Sequence, residues 1–453
     1  MQKLACIILA AGKGMRMKSD LPKPLHQVAG QAMVQHVIDA ASALSPEKLV
    51  VVVGRDMAAL EAAVHPHYTA VQDVPNGTGG AVRPARQYLD GFDGDIVVLF
   101  GDTPLVTTES IEKLVKARRD NPDTGLVFSA MRPADPGSYG RMVVEKDDIL
   151  ERIVEYKDAS EDERKITLCN GGIMCADGRH LFGWLDRLSN DNAQGEYYLT
   201  DLPEIARTDN LATRIVALPE EDMAGINSRE DLARVEKLFQ SRLRKQAMAG
   251  GATLQDPDTV MFCFDTDIAH DVTIGANVVF GRGVKIESGV EILPFCHLEG
   301  CTVKSGATIG PFARIRSGSE IGENAKIGNF VETKKAVIGK GAKASHLSYL
   351  GDAEIGEGAN IGAGTITCNY DGFLKYKTVI GKGAFIGSNS SLIAPVTIGD
   401  GAYVGAGSAV SGTVPADGLA VTRAKTLIRE EWAKKFRDKK RQEKDLKVTE
   451  KGV

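Results

Sequence analysis

From Ile274 to Val410 the chain repeats every six residues, and that period leaves few folds open. An apolar residue recurs at Ile274, Phe280, Ile286, Ile292 and Leu298, then at Val303, Ile309, Ile315, Ile321 and Ile327. It returns at Ile380, Ile386, Leu392, Ile398, Val404 and Val410. Such a period matches neither the turn of a helix nor the alternation of a flat strand. It fits a parallel β-helix with triangular coils, one hexad per side and one apolar side chain pointing inward from each. Gly281-Arg282-Gly283 and Gly339-Lys340-Gly341 suit the corners, where a positive φ is often required. The phase slips by one residue at Leu298 to Val303 and at Leu350 to Ile355. Between Thr367 and Ile380 the step is thirteen, so residues 368–379 are expected to loop out of the prism, as binding insertions often do. The hexads occupy about 260 to 415, the last inward aliphatic falling near Val410.

A chain of 453 residues exceeds one ordinary core, and we expect a domain over residues 1–227, a linker helix over 228–250 and a β-helix domain over 251–453. In the first segment, Leu4 to Ala11, Leu49 to Gly54 and Ile96 to Phe100 read as buried parallel strands. Val34 to Leu44 and Glu109 to Arg118 read as helices between them. That alternation implies an α/β domain that binds ligands at the carboxyl ends of its strands. Ser228-Arg229-Glu230-Asp231 opens the linker helix, with serine as N-cap and acids in the first turn. Leu232, Val235, Leu238, Phe239 and Leu243 form its apolar stripe, and Gly250-Gly251 stop it.

Hydrophobic residues make up 43% and charged residues 25%, as in soluble globular proteins. The net charge of −5 divides unevenly: residues 423–453 carry 12 Lys+Arg against 6 Asp+Glu, leaving −11 on the remainder. A basic tail of this kind is a solvated helix or a holder of phosphates, and no nucleic-acid partner is expected. The apolar run Ala5 to Ala11 is too short to span a membrane and lacks signal-peptide flanks, so no membrane insertion and a cytoplasmic location are expected. The seven cysteines form no C-x-x-C pair, which argues against a disulfide framework or a zinc site.

Strand Leu4 to Ala11 runs into Gly12-Lys13-Gly14-Met15-Arg16-Met17. This is either a plain strand–helix turn or a loop whose backbone N–H groups approach phosphate. Pro22 and Pro24 hold Lys23 in an extended segment. Asp102 follows a strand end and reads as a Mg²⁺ ligand or as a turn aspartate. In the hexads, His346 lies two residues beyond the inward Ala344 and faces outward, as a solvated histidine or as a base. Arg316, Lys334, Tyr349 and Asn360 are spaced by 18, 15 and 11 residues, close to one coil, so they and His346 could meet in one groove that holds an anion.

Together these residues carry a resemblance. Leu9-Ala10-Ala11-Gly12-Lys13-Gly14-Met15-Arg16-Met17 with Leu21-Pro22-Lys23-Pro24 resembles the signature of sugar-phosphate nucleotidyltransferases. Gln72, Gly77-Thr78, Gly101-Asp102, Tyr139-Gly140-Arg141, Val154-Glu155, Asn170 and Gly225-Ile226-Asn227 follow in that family's order. With the hexads behind them, essentially the whole chain resembles the bifunctional N-acetylglucosamine-1-phosphate uridylyltransferase/glucosamine-1-phosphate acetyltransferases. The resemblance implies a Rossmann-like nucleotidyltransferase domain followed by a left-handed parallel β-helix, although parallel crossovers are otherwise almost always right-handed. It implies Mg²⁺ on Asp102 and Asn227, with Arg16 and Lys23 supplying further positive charge to UTP. Gln72, Gly77 and Thr78 would take uracil, and Gly140, Glu155 and Asn170 the sugar. Leu9, Ala10, Ala11, Gly12, Phe100 and Gly101 complete that site, Phe100 standing where the family usually has tyrosine. In the β-helix it implies His346 as general base and Arg316, Lys334, Tyr349 and Asn360 as binders of the sugar phosphate. Acetyl-CoA would meet Ala363, Asn369, Tyr370, Ser388, Ala406 and Arg423, the last beyond the final coil. The small-molecule partners are glucosamine-1-phosphate, N-acetylglucosamine-1-phosphate, UTP and acetyl-CoA, and the family assembles as a homotrimer with acetyl sites between subunits.

Two other readings compete. A monofunctional sugar-1-phosphate nucleotidyltransferase would use the β-helix only to regulate or to oligomerise, and His346 with the 368–379 insertion speaks against it. A non-catalytic scaffold would have no use for Asp102, Lys23 and Asn227. A zinc-dependent β-helix enzyme fits poorly, because His270, His297 and His346 are separated by 27 and 49 residues rather than whole coils.

Overall fold

The computed structural model describes residues 3–450; the first two and last three residues of the expected domains lie outside the described residues. The chain divides into two compact units, Met1–Asp267 with Val279–Gly283, and Ile268–Val278 with Val284–Val453.

The first unit is built on seven strands in one sheet: β1 (Leu4–Leu9), β2 (Lys48–Gly54), β3 (Tyr68–Gln72), β4 (Asp95–Phe100), β5 (Thr124–Met131), β6 (Cys169–Asp177) and β7 (Ala212–Ala217). Their order is β7-β5-β6-β4-β1-β2-β3, with β6 antiparallel to both of its neighbours. Two short strands, Arg141–Val144 and Leu150–Val154, extend it beside β6. Continuous apolar sequence is what a sheet covered on both faces requires. Cys6, Ile8, Val51, Val53, Val97 and Leu99 enter one core. The intervening Ala5, Ile7, Val50, Val52, Ile96 and Val98 enter the other. Helices α1 (Met33–Ser42) and α2 (Thr108–Arg119) press Val37, Ile38, Ile111 and Leu114 onto the first face.

The chain runs from β1 outward to β2 and β3, then returns to place β4 on the other side of β1. That reversal is a topological switch point, where ligands bind beyond the strand ends of open α/β sheets. Leu9 pairs with Phe100, so Ala10–Gly12 and Gly101–Asp102 emerge side by side. Helix α3 (Arg229–Ala249) begins at Ser228, whose hydroxyl accepts from Asp231 N–H while the Asp231 carboxylate accepts from Ser228 N–H. Its Val235 is fully buried with Met17, Val28, Met33 and Leu105, and Leu232, Leu238 and Phe239 pack against that cluster. The helix expected as a linker is thus docked on the first unit.

In the second unit, pairs of residues one coil apart hydrogen-bond in parallel register. Ile292, Ile309, Ile327, Ala344 and Ile361 follow one another up one side. All of these inward residues are buried. The hexad signal fades between Ile327 and Ile380 because polar residues take inward positions there. Thr333 donates to the Ser319 hydroxyl at 3.1 Å, and Thr367 to Gly351 O at 3.0 Å, so neither is left unsatisfied. The insertion loops out between the strands Ile366–Cys368 and Thr378–Ile380, held by the Asp371 carboxylate accepting from the N–H groups of Phe373 and Leu374.

The inward residues do not end at Val410, nor the coils near 415, as the hexads suggested. Val414 is inward and buried, and Leu419–Ala420 pairs with Tyr403–Val404 as a further strand. A small residue, Ala420, takes the position of the usual large aliphatic, which hides this strand from the periodicity. Beyond it helix α4 spans Trp432–Glu450. No helix among the described residues is long and apolar enough to cross a membrane.

Candidate active sites

The strand ends of the first unit surround a cavity of about 220 Å³ lined by Leu9, Ala10, Ala11, Gly12, Lys23, Pro24, Gln72, Gly77, Thr78, Ala81, Phe100, Asp102 and Glu196. Lys23 opens a short helical turn, Lys23–Leu25, rather than the expected extended segment, because Pro24 suits the first turn of a helix. It reaches the cavity because Gly14 has no side chain: a Cβ there would sit 2.5 Å from Lys23 Cβ, at a φ of +61°. The Lys23 ammonium donates to Asp102 Oδ2 and, at 3.1 Å, to Asn227 Oδ1. Asn227 is delivered by two contacts: Ile226 N–H donates to Asp102 O at 3.0 Å, and Asn227 N–H donates to the Asp231 carboxylate that caps α3. Two hard oxygens therefore converge on one cation, the kind of donor set Mg²⁺ takes together with phosphate and water. The Arg16 side chain is exposed on the short turn Met15–Met17, outside the cavity lining. Gly101 carries no side chain where a Cβ would crowd Ala10 at 3.1 Å.

Elsewhere in the cavity wall, Gln72 donates to Asn76 at 3.4 Å, and the Thr78 hydroxyl accepts from Leu199 N–H at 3.0 Å. Gly77 has a φ of 98°, and a Cβ there would lie 2.5 Å from Tyr197 O, so that loop closes only with glycine. Gly140, Glu155 and Asn170 are brought together: Asn170 N–H donates to Gly140 O at 2.9 Å, and a Cβ on Gly140 would lie 3.7 Å from Glu155 Oε1. The Asn170 amide oxygen accepts from Gly172 N–H at 2.9 Å, and Gly172 lies against the Phe100 ring. Sequence reading missed Glu196 in the cavity wall and Thr200, whose hydroxyl donates to Glu155 at 3.1 Å.

The second unit gathers its expected residues into two sets at the two ends of one prism side. Asn329, His346, Ala363, Ser388 and Ala406 each precede a corner residue in the left-handed conformation: Phe330, Leu347, Gly364, Asn389 and Gly407. Backbone bonds link three of the four neighbouring pairs of corners: Leu347 N–H to Asn329 O, Asn389 N–H to Ala363 O and Gly407 N–H to Ser388 O. Arg423 lies at the top of the same column, its side chain within 3.7 Å of where Cβ atoms on Gly405 and Gly407 would stand. Arg423 therefore sits beside Ala406 on its own chain. His346 is exposed, and its Nδ1 meets Asn329 Oδ1 at 2.6 Å. With an amide oxygen as acceptor, Nδ1 carries the proton and Nε2 is left as the basic nitrogen.

At the other end of that side stand Arg316 and Lys334 with Tyr349. Arg316 bonds Glu332 at 2.8 Å, which holds its proton more firmly. Lys334 is pushed down mainly by Lys375, from the inserted loop, and also by Arg316. Asn369 donates to the Asp352 carboxylate at the same corner, and Tyr370 follows it with its ring exposed. Asn360 lies on the adjoining side, in the strand beside Lys343, so one chain does not gather all five of His346, Arg316, Lys334, Tyr349 and Asn360 into a single groove. The physical reason is that outward residues of neighbouring strands on different sides point in different directions. Sequence reading missed Asn329, Glu332 and Lys375; Asn329 lies 17 residues before His346, so subtracting one coil finds it.

These folds define a class: a nucleotidyltransferase-type α/β unit joined in one chain to a hexapeptide-type transferase. Residues 6–168 match the MobA-like NTP transferase domain, and residues 300–335 and 377–412 match the bacterial transferase hexapeptide. A bifunctional protein GlmU of Paramagnetospirillum magneticum is 52% identical over 435 residues, covering 96% of this chain and 97% of its own. Proteins of that name from Sphingopyxis alaskensis and Jannaschia sp. are 50% and 49% identical, each spanning 98% of its own length and 97% and 98% of this chain. The chain belongs to this family, the bifunctional GlmU uridylyltransferase–acetyltransferases, and its coils are those of the left-handed parallel β-helix.

Close to Glu155, burial first and then the charges of Glu204, Glu155 and Asp158 push the Asp201 carboxyl up to about 6 from its ordinary 3.8. A carboxyl raised by folding favours the protonated native state, so its penalty is absent below the unfolded value and complete above the folded one. Asp201→Asn should therefore raise the unfolding temperature at neutral pH, with the difference vanishing below about pH 3.8 in a thermal scan series.

Proposed function

We propose that the cavity at the switch point carries uridylyl transfer from UTP to N-acetylglucosamine-1-phosphate, and that the His346 column carries acetyl transfer from acetyl-CoA to glucosamine-1-phosphate. The observation that supports this best is that each set of residues lies wholly within its own unit. The chain makes UDP-N-acetylglucosamine by these two steps.

In the first step a sugar-phosphate oxygen, already an anion, attacks the α-phosphorus of UTP and expels pyrophosphate, so the protein's task is to bring polyanions together. A Mg²⁺ held by Asp102 and Asn227 would neutralise charge on the phosphates. Lys23 and Arg16 add positive charge around the nucleotide. Gln72 offers one donor and one acceptor, matching the imide edge of uracil, and Gly77 and Thr78 close the base pocket. Gly140, Glu155 and Asn170 hold the sugar.

In the acetyl step the amine nitrogen bonds to the thioester carbon, the C–S bond breaks and a thiolate leaves. His346 Nε2 takes the proton from the amine while Asn329 keeps the ring oriented. Ala363, Ser388 and Ala406 line the path of the coenzyme arm, and Arg423 holds a phosphate at its far end. The set Arg316, Lys334 and Tyr349 suits the sugar phosphate, with Asn360 from the adjoining side, while Asn369 and Tyr370 meet acetyl-CoA. The two sets stand at opposite ends of one side, so a second copy is needed to bring one against the other. We infer a homotrimer in which prisms pack side by side, and a cytoplasmic enzyme. Exposed Phe295, Phe312, Phe330 and Leu347 form a column on the His346 corner, the rings of Phe295, Phe312 and Phe330 stacked at 4.8 and 5.2 Å, and offer that contact.

Asp102→Ala should abolish uridylyl transfer and leave acetyl transfer within a few-fold, and His346→Ala should do the reverse. Separate assays of each half-reaction check this, and parallel loss of both in a folded variant would refute independent sites. Arg423→Ala should raise the apparent KM for acetyl-CoA by roughly tenfold, as expected for one charge-assisted bond of about 1.5 kcal/mol, with Arg423→Lys recovering only part. Phe330→Asp should lower the sedimentation coefficient and acetyl transfer together while sparing uridylyl transfer.

A further inference from the structure

The cation between Asp102 and Asn227 in this structure is the Lys23 ammonium. Lys23 Nζ donates to the Asp102 carboxylate and to the Asn227 amide oxygen, with the lysine side chain 12% and the aspartate 21% exposed. The backbone leaves that amine little choice of resting place. Pro22 and Pro24 flank it, Leu25 N–H closes the turn onto Pro22 O at 2.9 Å, and Gly14 lets the stem lie against the preceding loop. Two of the three ammonium protons are spent on the same two oxygens that are proposed to hold the divalent ion. Mg²⁺ binds oxygen at about 2.0–2.1 Å in strict octahedral geometry. An ammonium already bonded to Asp102 Oδ2 and to Asn227 Oδ1 stands where an ion shared by the pair would sit, so the two cations compete for it.

We propose that Lys23 and the divalent ion exchange on the Asp102–Asn227 pair. The ammonium is a tethered counter-ion that keeps the two oxygens together, and entry of the metal frees it to swing toward the nucleotide phosphates. Lys23 is then a positioning residue in the absence of the ion and a phosphate contact in its presence. Its positive charge is delivered only once the ion is in place. This rests on the reading that Asp102 and Asn227 hold the ion.

The test uses Mn²⁺ alone, without nucleotide, on the full chain, with binding followed by electron paramagnetic resonance. If the ammonium holds the pair about nine-tenths of the time, Lys23→Met should bind Mn²⁺ roughly tenfold more tightly than the unaltered chain, because apparent affinity scales with the competent fraction. Equal or weaker binding by Lys23→Met overturns the exchange. Asp102→Asn should lose Mn²⁺ binding; if it does not, the metal reading falls and the exchange with it, which separates the two failures. A second measurement needs no variant. Saturating Mg²⁺ should speed acylation of the Lys23 amine by an amine-directed reagent several-fold, read by peptide mass spectrometry with Lys13 and Lys18 as internal controls. Unchanged or slower labelling of Lys23 overturns the proposal.

Discussion

Parallel, in-register pairing between successive coils is the constraint on which the second unit depends. Each strand bonds to the one a coil away, so residues at equivalent positions stack in columns whatever lies between them. Neighbouring strands stand about 4.8 Å apart, and the four steps from His346 to Arg423 make a line of about 19 Å. A line of that length suits an acyl carrier whose thioester and phosphates are far apart: the proposed base, His346, sits at one end and a guanidinium at the other. The steps in sequence are 17, 25, 18 and 17 residues. The long one contains the insertion, yet the column is undisturbed because the extra residues leave the prism at a different corner, beside Asp352.

The first unit meets a different constraint. Its central strands are apolar on both faces, so both faces must be covered, and only the strand ends remain for chemistry. Polar side chains must therefore arrive at the ends from elsewhere in the chain. Lys23 comes on a proline-bracketed turn, and Asn227 comes through the cap of a helix whose apolar stripe is docked on Met17, Met33 and Leu105. The Ser228–Asp231 cap, worth about 1 kcal/mol as helix stabilisation, gains a second use because the same carboxylate fixes the Asn227 backbone. Arg229 adds another tie, donating to Met17 O at 3.1 Å at the close of the glycine loop.

What was legible in the sequence follows from this division. Periodicity alone exposed the coils, since an inward Ile every hexad is a packing requirement. Glycine turns and lone polar residues at strand ends pointed to the place where the cavity lies, and the resemblance named the residues around it. Contacts between side chains distant in sequence left no such trace: Glu196 and Thr200 come from a loop with no local signature. Glu332 looks like any outward strand residue until Arg316 is seen beside it. Lys375 was hidden because a looped-out insertion breaks the phase that locates its neighbours. The coil end was misjudged for the opposite reason, a regular strand written in small residues.

Electrostatics gives the two units a shared logic. A cation set strong enough to hold a phosphate repels itself unless it is partnered. Lys23 is partnered by Asp102, Arg316 by Glu332, and Asp352 stands near Lys334. In each case the partner is a carboxylate at a fixed corner or strand end, a weaker match for these cations than a phosphate with three acceptor oxygens. Lys334 is the least well compensated: Lys375 and Arg316 make its charged form costly, and Asp352 offsets them only in part. If this set holds the sugar phosphate, as proposed, the dianion would offer what that carboxylate cannot, simultaneous acceptors for several donors. On the proposed reading, binding would exchange a partial internal compensation for a fuller one, and relief of the repulsion among Lys334, Lys375 and Arg316 would favour the bound state.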